Sequence, residues 1–233
     1  MAHTPKKVLI ATPHPDDCEI GVGGTVAKWI REGAEAVLVV CTNGDKGSED
    51  PEMTSERLAA IRQQEQLEAA EVLGIHEVVF LHHRDAELED NREFRGDLVR
   101  EIRRHRPDTV MTVDPFRRGF YNHRDHRVTG IVTVDAVFPF ARDHLSYPEH
   151  KKLGLDPHKV ERIFLWGSEE PDDFVDISDT IDIKIDALAK HVSQVGPDRG
   201  RDFRVFIKDN AFRIGKEKGV TYAEQFRVIE LRR

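Results

Sequence analysis

Four short apolar runs, each leading into a longer helical stretch, fill residues 8–114, and this alternation limits the chain to few architectures. VLIA (8–11) is followed by a helix over 20–31 that Gly33 closes. AVLVVCT (36–42) is followed by a helix that starts at Asp50-Pro51, a capping residue before a first-turn proline, and runs to about Leu73 and Gly74. EVVFL (77–81) precedes a helix with Phe94, Leu98 and Ile102 on one face, which Pro107 stops. TVMTVD (109–114) is the fourth strand. Strands alternating with helices imply right-handed βαβ units and an α/β fold: a mostly parallel sheet with helices on both faces.

Beyond residue 150 the pattern thins. RIFLW (162–166) and FVDI (174–177) read as strands. Residues 180–194 read as one helix, with Ile181, Ile185, Leu188 and Val192 on a single buried face. With no boundary evident, 1–233 is expected to be one domain, its part from about 150 shaping the substrate pocket. A chain of 233 residues can bury a sizeable core without staples.

In open α/β sheets, ligands sit beyond the carboxyl ends of the strands. Here those loops are PHPDD, NGDKG, HHRDAE and DPFRRGFYNHRDH, all rich in metal- or hydroxyl-binding groups. In the first, His14 and Asp17 are separated by two residues, so a tight turn can aim both at one ion. Asp16 then lies beside the ion, where a carboxylate can take a proton from an activated water. The same HPDD turn is equally compatible with an aspartate that caps the next helix. NHRDHR (122–127) adds two histidines and an aspartate. His126 is assigned to the metal, and His123, oriented by Asp125, to stabilising an oxyanion or leaving group; spacing alone permits the reverse. Three protein ligands leave a position open for water, as a catalytic zinc needs.

Other features carry less chemistry. GVGG (21–24) lacks the placement and spacing of a dinucleotide loop and reads as small residues that let a helix pack closely. NGDKG is a turn that brings Asp45 towards a ligand. His76, His105, His144, His150 and His158 read as surface residues, and His191 as structural. The formal charge of −8 argues against a nucleic-acid partner. Cys18 and Cys41 imply no disulfide framework, and no apolar run is long enough to span a membrane, so a cytoplasmic protein is expected. Two histidines and a carboxylate also serve non-haem iron oxygenases, and an α/β module that merely binds nucleotides is a third reading; the extra Asp16 favours hydrolysis over both.

These segments resemble the LmbE-like, or PIG-L, family of zinc-dependent N-acetylglucosaminyl deacetylases. PHPDDCEIGVGG is similar to the family's P-H-P-D-D-x-E signature, and TNGDKG to its T-x-G-E-x-G turn, with Asp45 where glutamate is usual. LAAIRQQEQLEAAEVLG, FLHHRDAEL and HRDH match further segments, and VDISDTIDIKIDALAKHVSQ does so less specifically. The resemblance implies a Rossmann-like fold and hydrolysis of an N-acetyl group from a small amino-sugar substrate, or of an amide in a sugar-thiol conjugate. It implies zinc, with ferrous iron the alternative, on His14, Asp17 and His126, and Asp16 as general base. His123 would be the acid or oxyanion partner, tuned by Asp125, with Tyr121 as a helper. Asp45, Arg62 and Asp85 would hold the sugar. It leaves a homo-oligomer open.

Overall fold

A computed structural model describes residues 4–119, 123–196 and 202–231. Seven strands form one sheet in the order β3-β2-β1-β4-β5-β7-β6. They are β1 (Lys7–Thr12), β2 (Glu35–Thr42), β3 (Glu77–His83), β4 (Thr109–Val113), β5 (Arg162–Trp166), β6 (Asp173–Asp176) and β7 (Ala223–Glu230). The first five run parallel; β7 lies antiparallel to β5, and β6 antiparallel to β7. The chain leaves β1 towards β2 on one side and returns to β4 on the other. The carboxyl ends of β1 and β4 therefore flank the topological switch point, where a crevice opens.

The helices are α1 (Asp17–Arg31), α2 (Ser55–Leu73), α3 (Arg92–His105), α4 (Arg124–Val137), α5 (Ile181–Leu188), α6 (Val192–Val195) and α7 (Phe203–Lys218). Both faces of the sheet are covered. Val22 and Val26 of α1, Ala69 of α2, Ile185 of α5 and Ile207 of α7 share one core with Val8, Ile10 and Leu38. Leu98 and Ile102 of α3 and Val132 and Ala136 of α4 share the other with Leu9, Val37 and Val39. β1 and β2 alternate between these cores, which is why both read as continuous apolar runs. Among the described residues, no helix is long and apolar enough to cross a membrane.

Three expectations need correction. Asp50-Pro51 does not begin a helix: Asp50 Oδ1 accepts the Glu52 N–H (2.9 Å) in a turn, and Thr54 caps α2 by accepting the Arg57 N–H. The helix expected over 180–194 is two pieces, α5 and the short α6, with Val192 63 % exposed. Ile181, Ile185 and Leu188 keep the buried face, but His191 is drawn inward at the break. His105 and His150 are buried rather than surface residues: His105 lies 3.3 Å from Glu101, and His150 stacks on Tyr147. The helix α7 and the strand β7, which lies between β5 and β6, were not legible as elements, because charged residues interrupt their apolar ones.

Candidate metal centre

The PHPDD loop leaves β1 at the switch point and enters α1 through Asp16, whose backbone is left-handed (φ 102°). A non-glycine residue held there is strained and needs over-determination by its surroundings. Gln66 Oε1 accepts the Asp16 N–H (3.2 Å), and Arg62 Nη2 donates to the Pro15 carbonyl (2.7 Å) and to Asp16 Oδ2 (3.3 Å). Asp16 occupies the N-cap position yet makes no side-chain cap bond, so its carboxylate is kept for something other than the helix end.

His14 sits at the centre. Its Nδ1 is 3.0 Å from Asp17 Oδ2, and its Nε2 is 3.2 Å from both Asp85 Oδ1 and Asp125 Oδ2. His126 Nε2 lies 3.2 Å from the same Asp17 oxygen. One ligand atom each from His14, Asp17 and His126 falls within a mutual 4.8 Å. A proton on His14 Nε2 shared with Asp125 leaves Nδ1 free for an ion, the arrangement in which a carboxylate orients a metal-binding imidazole. Imidazole, imidazole and carboxylate suit zinc and ferrous iron. The donor set thus fits a divalent cation, with one adjustment. Arg117 Nη2 lies 3.1 Å from His126 Nδ1, and a ring ligating through Nε2 keeps its proton on Nδ1, so ligation requires Arg117 to step back.

The electrostatics point the same way. Burial opposes a charge on His14, but Asp125, Asp17 and Asp85 outweigh it and hold its imidazolium well above the usual range. Burial likewise opposes ionisation of Asp17, yet His126 and His14 hold that carboxyl well below its usual range. For Asp16, burial wins over the neighbouring Arg62 and pushes the carboxyl up to about 6, a fitting value for a base that works near neutrality.

Asp125 acts elsewhere than expected. Its carboxylate lies against His14 and accepts the Ala86 (2.6 Å) and Leu88 (3.4 Å) N–H groups, so it joins the β3 loop to the metal set. His123, not Asp125, caps α4: its Nδ1 accepts the Asp125 N–H (3.1 Å). This bond fixes the proton of a neutral His123 on Nε2. Burial and the charge of His14 hold His123 below the ordinary imidazole range.

Arg62 and Asp85 line a cavity of about 320 Å³ with His14, Asp16, His123 and His126. Asp45 stands behind it: its Oδ1 accepts the Asp85 N–H (3.1 Å), so it holds the loop that presents Asp85. Tyr121 lies outside the described residues. Lys46 and Gln194 also line this cavity, and neither was singled out from the sequence. Gln194 arrives through HVSQ: Ser193 donates its N–H (2.7 Å) and Oγ–H (2.6 Å) to Glu65 of α2, and fully buried His191 lies 3.3 Å from Glu19 of α1. Glu19 in turn accepts from the Gln66 amide that steadies Asp16. Only the position of HVSQ just after an apolar helix could have hinted at this.

Several proteins are similar to this chain as a whole. Diacetylchitobiose deacetylase of Thermococcus kodakarensis is 36 % identical over 96 % of this chain and 83 % of its own length. The solved N,N'-diacetylchitobiose deacetylase of Pyrococcus horikoshii superposes with a TM-score of 0.92 at 36 % identity, over 97 % of this chain and 84 % of that one. Mycothiol S-conjugate amidase of Streptomyces coelicolor is 32 % identical over 61 % of this chain and 55 % of its own length. The family described as PIG-L, GlcNAc-PI de-N-acetylase, matches residues 9–137, from β1 to the end of α4 and so across the whole switch-point site; this chain belongs to it.

Proposed function

We propose that the protein is a metal-dependent N-deacetylase that hydrolyses the acetamide of an N-acetylglucosamine-type sugar, with a short chitin oligosaccharide as substrate. The observation that carries the reading is the convergence of His14, Asp17 and His126 on one point, with a strained Asp16 beside it that makes no helix-cap bond. The likeness to two diacetylchitobiose deacetylases over nearly the whole chain supports the substrate class.

A divalent ion on His14, Asp17 and His126, zinc being the first candidate, supplies Lewis acidity that polarises a carbonyl and makes water acidic enough to attack near neutral pH. Asp16 accepts the proton of the attacking water and passes it to the departing nitrogen. His123 presents Nε2–H to the carbonyl oxygen as negative charge gathers there; a neutral imidazole can give this hydrogen bond without surrendering its proton. Arg62 fixes the direction of the Asp16 carboxylate. Asp85, Lys46 and Gln194 offer acceptors and donors to sugar hydroxyls. Asp125 orients His14, and Asp45 the Asp85 loop. The C-terminal part contributes through Gln194, so it shapes the sugar side within a single domain. The products are acetate and a free amino sugar.

The test is metal exchange. Protein stripped by a chelator should lose release of primary amine from diacetylchitobiose and N-acetylglucosamine, and regain it with one equivalent of zinc or, anaerobically, ferrous iron. Full turnover with less than about a tenth of an equivalent of any metal sinks the proposal.

A further inference from the structure

A chain of buried polar groups runs behind Asp16, and no step of the reaction touches its far end. Gln66 of α2 accepts the Asp16 N–H through Oε1 (3.2 Å) and donates through Nε2 to Glu19 Oε1 of α1 (2.9 Å). The other Glu19 oxygen lies 3.3 Å from His191 Nε2, at the break between α5 and α6. Gln66, Glu19 and His191 are all fully buried. An amide has a direction. A backbone N–H can only donate, so Oε1 must face Asp16, and Nε2 then needs an acceptor behind it. A carboxylate accepts only and suits that place, whereas a hydroxyl would serve either orientation. A buried carboxylate in turn needs an opposite charge. Burial opposes a charge on His191, but Glu19 outweighs it and raises its imidazolium above the usual range. Each group thus sets the next, from His191 through Glu19 and Gln66 to the Asp16 backbone.

That backbone is the strained point of the site (φ 102°). Strain of this kind persists only where the surroundings over-determine it. Arg62 holds the Asp16 carboxylate, and Gln66, one turn further along α2, holds its N–H. Without the second bond the residue can relax and the carboxylate turns away from the ion. We propose that His191 is a positioning residue for Asp16: acting through Glu19, it fixes the direction of the Gln66 amide and so the backbone that aims the base. This rests on Asp16 being the base and extends that reading to groups that touch neither metal nor sugar. The metal ligands are not members of the chain, nor are Asp85 and Lys46, and Gln194 is held separately by Ser193 on Glu65. Loss of the chain should therefore fall on kcat, with KM and bound metal unchanged.

The experiment measures kcat, KM for diacetylchitobiose, bound zinc and denaturant stability in the zinc-loaded wild type and in variants of the chain. Gln66→Met removes both amide bonds at nearly constant size and should lower kcat by about 10²-fold, with KM and zinc content within about twofold of wild type. His191→Phe strands the buried Glu19 and should lower stability and kcat together. His191→Gln places an amide N–H where the imidazole has Nε2, and should keep kcat within about threefold of wild type. The double variant Glu19→Leu/His191→Phe separates the two effects. Replacing both members of a buried charge pair by apolar groups restores stability but leaves nothing to orient the Gln66 amide, so kcat should stay lower than wild type by about tenfold or more. Recovery of kcat together with stability in the double variant means that the pair only packs, and overturns the inference. So does a Gln66→Met enzyme with wild-type kcat, or a loss of zinc that parallels the loss of rate. Each of these leaves the deacetylase reading intact. Wild-type kcat in Asp16→Asn would instead remove the base on which the inference rests, and absence of turnover by metal-replete wild type would remove the deacetylase reading itself.

Discussion

Two buried polar clusters touch α1, and they are built on opposite principles. At its N-terminus, Asp16, Asp17, Asp85 and Asp125 surround His14 and His126, with Arg62 and Arg117 as the permanent cations in contact with them among the described residues. On its middle turns, Glu224 faces Lys184 alone, and its remaining capacity is filled by the Gly24 (3.1 Å) and Thr25 (2.8 Å) N–H groups. The second cluster is balanced: each charge has its partner, and the result ties β7 and α5 to α1. The first carries more negative charge than its own cations offset and faces a cavity. Buried charge left unbalanced by the protein's own groups marks a place where something else is expected to bind. Balanced charge marks architecture.

The comparison is tested most severely at Asp16. Asp16→Asn should lower kcat by about 10²- to 10⁴-fold with bound metal unchanged, measured by amine release and metal analysis. Its wild-type pH profile should show the cause. The base must be ionised, so the rate falls as pH drops through about 6, and a bound cation shifts that limb to lower pH. The limb should vanish in the asparagine variant; if metal content falls with activity, Asp16 is a ligand and not the base.

In the balanced cluster the expected effect is on stability. Glu224→Ala strands a buried ammonium and should cost about 3–5 kcal/mol in denaturant unfolding, while folded protein keeps its full metal stoichiometry. A loss of metal affinity there would mean that the two clusters are coupled, and the contrast between them would fail.

The smallest effect sharpens the role of a shared residue. Asp125→Asn should weaken metal binding by about 10- to 100-fold in a competitive chelator titration, because His14 loses the carboxylate that orients it. An unchanged affinity, with kcat alone reduced, would return Asp125 to His123.

Both clusters left traces in the sequence, but unequally. His14, Asp16, Asp17, His123 and His126 were legible because the loops that carry them follow strands, and strand ends in a parallel sheet converge by construction. GVGG was legible as close packing: a Cβ on Gly24 would meet Ile177 at 2.7 Å, and one on Gly23 would meet Lys184 at 3.3 Å. The partner of Asp125 was not legible. Asp125 adjoins His123 along the chain, but the first turn of α4 directs its side chain across to His14, 111 residues away. Nothing local marks Lys184 and Glu224 in the sequence as charges that meet inside the protein.

The amino-acid order alone determined the alternation of strand and helix, hence the parallel sheet, its switch point and the ligand-bearing loops. These follow from local periodicity and from the fixed handedness of βαβ connections. Tertiary structure alone decided which nitrogen of each histidine faces which carboxylate, how Asp16 is strained into place, and that a second cavity opens beside Asp17 and His126. Those depend on side-chain directions and on contacts between residues far apart in the chain, and no local pattern encodes them.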